Sequence, residues 1–392
     1  MTSTAPRTAR STVDPFAAEV AADPYPYYRE LRNSGPVVYL EKHDVYALTR
    51  YADVRAALRD WETFTSAKGT AFNPVMNQQV RGLVLTAEPP EHGALRGALL
   101  ERLKPSSVHG YANWFEQKAA EMVTPLVERG TFDAVNELAQ PFLATILTEL
   151  IGFPHELTDK FVAGSTAAFL AMGPMNERTD NALAVIQDVM STIAGITRAD
   201  LAPGSMGESL YRAAERGEIP DEYVGNLLFD YVGPAFDTTT HAIGNLIWAL
   251  ARNPGQLTIL RAEPALIPRA VDEILRYQPP IQIWGRFCRK DTEFGDMTVP
   301  GGSRVAIVLG SANRDERHYS DPDIFDVRRT ARDHLGLGYG MHRCTGASLA
   351  HLEIEAVLRA LLERMDRIEL GKSRRLLNHT VRGFDRLEVR AG

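Results

Sequence analysis

The stretch Leu337-Gly-Tyr-Gly-Met-His-Arg-Cys344-Thr-Gly346 restricts this chain more than any other, because it gathers three glycines around one sulfur. Gly338 and Gly340 permit backbone dihedrals and a closeness of approach that a Cβ would forbid, so a flat group can lie against the loop. Gly346 lets a helix begin directly behind the sulfur. The N–H groups of that helix start would point at Cys344, lower its pKa and donate to its lone pairs. A lone Cys in a turn is ordinarily a small buried hydrophobe. One thiolate cannot build a structural zinc centre, which takes four ligands, whereas haem iron takes a single axial thiolate.

Two further segments carry chemistry-bearing residues. Glu273-Ile-Leu-Arg276 ends a helical pattern that Pro279 and Pro280 stop. By itself such an i, i+3 pair is an ordinary surface ion pair. Gly233-Pro-Ala-Phe-Asp-Thr-Thr-Thr240 lies inside a helical pattern from about Asp221 to Ala251. Read alone, it is a Thr-rich turn whose hydroxyls bond their own backbone, with a kink at Pro234.

Together these segments resemble the cytochrome P450 family, whose haem-ligand signature is Phe-Gly-x-Gly-x-His-x-Cys-x-Gly. The loop agrees at every position but the first, where Leu337 stands. The resemblance implies that Cys344 ligates the iron of haem b, with Leu337 and Gly338 beside the sulfur and porphyrin. It implies a buried triad of Glu273, Arg276 and an Arg from Phe325-Asp-Val-Arg-Arg329, assigned to Arg329 with Arg328 as the alternative. Asp237 and Thr238 take the family's acid and alcohol places in dioxygen activation. Ala235 stands where Gly is usual and Pro234 where Ala is usual, so a proline-forced kink opens the groove. His92 and Arg96 at i, i+4, Arg286 and His342 occupy the family's places for holding the haem propionates, since buried carboxylates need charge-assisted partners.

The resemblance runs from Asp23-Pro-Tyr25 to the closing Leu377–Gly383 and implies the cytochrome P450 fold, mainly α with a minor β part. Helical periodicity is clear at 51–58, 113–127, 142–151, 181–196 and 346–365, and β-branched runs at 37–40, 45–49 and 305–309 read as strands. In 392 residues, 44% of them hydrophobic, no Pro- or Gly/Ser-rich linker separates His92, Thr238, Arg286 and Cys344, which must meet at one haem. Residues 13–392 therefore read as a single domain, behind a small, polar and basic tail at 1–12 that reads as disordered. No run reaches the roughly 20 apolar residues of a membrane helix. Two Cys without a bridging pattern fit a reducing compartment, and since membrane-bound members of the family carry an anchor segment, the resemblance implies a cytoplasmic, bacterial type of enzyme. The net charge of −7 argues against nucleic acid as a partner.

Within the family the chain is most similar to bacterial enzymes acting on small aromatics, some of them para-substituted benzoates; the runs Ala171–Arg178 and Leu201–Gly204 carry this likeness. It implies dioxygen as co-substrate and electrons from a separate iron-sulfur ferredoxin with its NAD(P)H-dependent reductase. Arg102, Lys104, Arg328, Arg329, Arg332 and Arg343 would form a basic docking patch for the acidic ferredoxin. Phe72, Met76, Arg81, Leu83, Phe169 and Phe236 are expected to line the substrate pocket, with Arg81 its nearest cation. Phe229, Asp230 and Gly233 would not welcome an anion, so a neutral or phenolic aromatic, hydroxylated or O-demethylated, is expected. An aromatic carboxylate or a natural-product intermediate is the alternative; a peroxide-using haem enzyme and a haem sensor are the more distant ones.

Overall fold

The computed structural model describes residues 8–392. Helices dominate, and they bury one continuous apolar cluster that runs from Ala71 to Val389. The helix Ala347–Leu362 shows why: Leu349, Ile354, Ala356, Val357, Leu358, Ala360 and Leu361 are buried, a face too wide to be left in water. It packs on Ala112–Arg129, on Ala235–Arg252 and on Ile267–Tyr277. The last of these buries Ile267, Ala270, Val271 and Ile274 at i, i+3, i+4 and i+7, and stops before Pro279.

The β part sits to one side. Six strands run in the order Ala9–Ser11, Val37–Leu40, Val45–Leu48, Arg304–Ile307, Trp284–Cys288 and Phe64–Thr65. Trp284–Cys288 pairs antiparallel with Arg304–Ile307 and so fixes Arg286 opposite Val305. A second sheet joins Ile368–Arg375, Phe384–Ala391 and Thr131–Asp133.

Three expectations need correction. Residues 9–11 are not tail: they form a strand parallel to Val37–Leu40, whose open edge offered backbone partners; residues 1–7 lie outside the described part. The strand expected at 305–309 ends at Ile307, and Leu309 opens a short helical turn. The long helix is two helices, Val224–Val232 and Ala235–Arg252. Pro234 has no N–H to give the carbonyl four residues back. A side chain is also spliced into the ladder: the Ser165 hydroxyl donates to Gly233 O at 2.7 Å and accepts from Asp237 N at 3.0 Å. An inserted hydroxyl and a proline are each sufficient cause for a kink.

Candidate active site

The Cys344 loop is clamped from both sides. Its backbone closes on itself through Gly338 N to Leu335 O at 2.9 Å and Cys344 N to Leu337 O at 2.8 Å. Gly338 and Gly340 hold φ of 70° and 73°, a left-handed region costly to any residue with a Cβ. A Cβ on Gly340 would also stand 2.6 Å from Leu58 O, and one on Gly336 would stand 2.3 Å from Leu275 O. Glycine is thus required both for conformation and for approach. The Cys344 side chain is open to a cavity and receives the Gly346 N–H from the helix start behind it. Burial pushes the thiol pKa up, opposed by that N–H and by Arg96 and Arg343. The N–H contribution expected from the helix start is present and lowers the pKa, and desolvation by the surrounding wall, which the sequence does not display, outweighs it.

A buried charge network braces the segment leading to this loop. Glu273 grips Arg276 in a fork, Nε to Oε2 at 2.7 Å and Nη2 to Oε1 at 2.8 Å, with neither side chain exposed. Arg276 then donates to the carbonyls of Asn313, Pro322 and Ile324. Arg329 reaches Glu273 Oε1 at 3.3 Å and donates to Ser320 O and Asp321 O. Arg328 is instead engaged by Glu263 on the surface, so the third place belongs to Arg329.

Four basic side chains from distant parts of the chain converge beside the cavity. His92 is buried with its Nε2 unpartnered, and its ring lies 4.9 Å from that of His342. His342 receives or gives one bond, Nε2 to Ser66 Oγ at 2.9 Å, and its Nδ1 has no partner. Arg96 holds Arg343 O at 2.7 Å and Thr345 Oγ1 at 3.1 Å. Arg286 is buried and donates to the carbonyl of its neighbour Gly285. Burial and mutual repulsion push His342 down to about 3, and burial pushes Arg286 down to about 10. Among the described residues no carboxylate pairs with any of the four. Two guanidinium groups and two imidazoles with unpartnered ring nitrogens, gathered without an anion, leave donor capacity unused in a desolvated place, and a dianionic group set beside the Cys344 sulfur would take it up. The donor set therefore fits a haem with two propionates.

The cavity has a volume of about 240 Å³. Met76, Leu83 and Phe169 line it as expected, joined by Leu99, Trp284 and Phe229. Asn73 sets Met76 in place: its side chain caps the helix Pro74–Gln79 at Met76 N and donates to Ala171 O and Gly173 O, both at 2.7 Å. Phe72, Arg81 and Phe236 do not line it. Phe72 turns away to pack at a tilt against Phe16, with ring centres 4.9 Å apart, because the segment around Phe16 completes its shell. Arg81 is exposed. Phe236 is on the opposite helix face, as its spacing from Pro234, Ala235 and Thr238 requires.

That face argument also separates the acid from the alcohol. Thr238 looks into the cavity with its hydroxyl donating to Pro234 O at 2.8 Å. Asp237 looks out into a second, smaller cavity with Asn136, Gln140 and Asp385. It accepts from Thr166 Oγ1 at 2.6 Å, and His241 Nε2 lies at 3.3 Å. Sequence reasoning missed Glu353, a cavity carboxyl that burial pushes up to about 8. The signal was present: Glu353 falls four residues from Leu349 and four from Val357, on the apolar stripe. The expected docking patch is smaller than proposed, since Arg329 is in the triad, Arg328 is paired and Arg102 donates to Gly204 O; Lys104, Arg332 and Arg343 remain exposed.

Comparison with known proteins places this architecture among relatives. The family model described as cytochrome P450 matches residues 155–375. The chain is 34% identical over 383 residues to cytochrome P450 CYP199A2 of Rhodopseudomonas palustris, covering 96% of this chain and 93% of that one. It is also 34% identical to the beta-dihydromenaquinone-9 omega-hydroxylase of Mycobacterium tuberculosis, covering 96% and 78%. Among solved structures, epothilone D-bound cytochrome P450epoK superposes with a TM-score of 0.87 at 25% identity, covering 97% and 98%.

Proposed function

The chain belongs to the cytochrome P450 family and is a monooxygenase that binds haem b, and from that premise we propose that it inserts one oxygen atom of dioxygen into a small, mainly apolar aromatic, by hydroxylation or O-demethylation. The observation that carries this reading is the cavity itself: an apolar, aromatic-walled space opening on the Cys344 thiol, with a cradle of two arginines and two histidines at one edge. Cys344 would hold the iron, and His92, Arg96, Arg286 and His342 the propionates. Bound haem supplies the reductive activation of dioxygen and the transfer of one of its atoms to carbon.

The protein's own residues set what surrounds that chemistry. Met76, Leu83, Phe169 and Trp284 exclude water and stack a flat substrate. Thr238 presents its hydroxyl on the cavity side, while Asp237, backed by Thr166 and His241, exchanges protons with the smaller cavity on the other helix face. The Ser165 hydroxyl ties the two helical turns between them. Electrons come from a redox partner, here a ferredoxin docked near Lys104, Arg332 and Arg343, and the chain from residue 9 onward acts as one domain. Among the described residues no helix is long and apolar enough to cross a membrane.

A second reading has its own support: the cavity continues between Leu99, Leu103, Leu147, Ile151 and Met206, room for an alkyl chain, and one relative is named an omega-hydroxylase. Turnover of para-methoxyarenes and of long-chain alkyl substrates with a surrogate ferredoxin and reductase separates the two. Formaldehyde released with the phenol supports the aromatic reading; terminal alcohols alone replace it. In the same assay Thr238→Ala is expected to divert electrons to hydrogen peroxide, and unchanged coupling would remove Thr238 from proton delivery.

A further inference from the structure

We propose that Asp230 selects the substrate, accepting a hydrogen bond from a hydroxyl at the end of the ligand remote from the thiolate, so that the enzyme takes neutral, O–H-bearing molecules and rejects the matching carboxylates. This deepens the reading above by naming the polar group its aromatic substrate carries.

The cavity wall has few ionisable members. Arg96, His342, Cys344 and Glu353 stand at the thiolate end, and Tyr231 spends its hydroxyl on Leu99 O. Asp230 is the remaining ionisable side chain in a lining that also holds Met76, Val80, Leu83, Val84, Phe169 and Phe229. It lies eight residues before Thr238, across the break at Pro234, on the helix Val224–Val232, which sets it about 12 Å of helical rise from that threonine. One carboxylate oxygen accepts from Val84 N at 3.0 Å. Among the described residues no donor reaches the other oxygen, and no cation pairs with the group. Its side chain is partly exposed and lines the cavity.

A carboxylate with spare acceptor capacity in an apolar wall has one low-cost partner, a ligand donor. An O–H there forms a charge-assisted bond, and a ligand lacking it leaves the acceptor unpaired. A ligand carboxylate meets a like charge in a desolvated site instead. Burial pushes the Asp230 pKa up to about 7, so this exclusion is strongest above neutrality.

The test uses the haem-loaded enzyme at about pH 8, with binding read by calorimetry and by the ferric spin-state change. One ligand set is para-methoxyphenol, para-methylanisole and para-methoxybenzoate; the other is decan-1-ol and decanoate. Para-methoxyphenol is expected to bind about ten-fold or more tighter than either analogue. Asp230→Asn, which keeps size and adds an N–H donor, should lose that preference and gain benzoate affinity by a similar factor. Asp230→Ser serves the same purpose if the Asn variant does not fold. Equal benzoate and phenol binding in the parent, or an unchanged ranking in both variants, overturns the proposal. If only the aliphatic set binds, and decanol beats decanoate through Asp230, the aromatic reading falls and the role of Asp230 stands. If no hydroxyl ligand of either set beats its carboxylate, the role of Asp230 falls whichever set binds.

Discussion

At the Cys344 end of the cavity each element is held at least twice, whereas at the Asp230 end one carboxyl stands nearly free among apolar side chains. The thiolate loop is closed by its own backbone, pressed against Leu58 O and Leu275 O where only glycine fits, and backed by a buried Glu273–Arg276–Arg329 network. The roof depends on an Asn73 cap, one backbone bond from Val84 to Asp230, and a helix broken between Val232 and Ala235. Rigidity fixes the chemistry at the first end, and adaptable packing leaves the choice of substrate to the second.

The contrast is broken most completely by removing the sulfur. Cys344→Ala is expected to abolish monooxygenation and the thiolate signature in the ferrous carbon monoxide spectrum, while the apolar cluster keeps the helices folded by circular dichroism. Retention of that signature would exclude Cys344 as the ligand. Next comes the brace: Glu273→Gln leaves Arg276 buried without its counter-charge and should cost about 3–5 kcal/mol in denaturant unfolding. Haem should be lost from that variant faster than from the parent. Gly340→Ala adds a methyl 2.6 Å from Leu58 O at a left-handed φ and should cost about 2–3 kcal/mol, with the Cys344 end loosened first. Equal stability of that variant would mean the loop is less tightly clamped than its geometry indicates.

The same contrast explains what could be read without a structure. Cys344, the Glu273–Arg276 pair and the His92–Arg96 spacing are legible because they stand in segments that resemble family motifs, although each taken alone is an ordinary surface or core feature. The pocket residues are not, because a Phe looks alike in sequence whether it walls a cavity or fills a core. Phe169 faces the cavity, Phe72 is taken by Phe16, and Phe236 is turned away by its place on the helix. The face of Phe236 was available from helical spacing relative to Thr238. The partner of Phe72 was not, since it comes from a segment more than fifty residues earlier. The net direction of the Cys344 pKa was not legible for a related reason: a helix start is local, whereas desolvation is summed over walls that only the fold assembles.

The smallest expected effect lies at the free end and depends on pH. Asp230 has a folded pKa of about 7 against an ordinary 3.8, so the fold prefers its protonated form. The stability this gives is fully present below about pH 4 and is lost as pH rises through about 7. Such a displacement corresponds to at most about 4 kcal/mol. Water admitted to the cavity screens it, leaving an effect on the order of 1 kcal/mol. Asp230→Asn should therefore be more stable than the parent near pH 8, with the difference shrinking to nothing as pH falls toward 4. Glu353, pushed up to about 8 in the same cavity, titrates in both proteins, as do Arg96, His342 and Tyr231 where they titrate at all. Subtracting the two stability profiles thus isolates Asp230. A difference independent of pH would mean that Asp230 meets more water than the apolar wall implies, and that the two ends of the cavity are less unlike than their packing makes them.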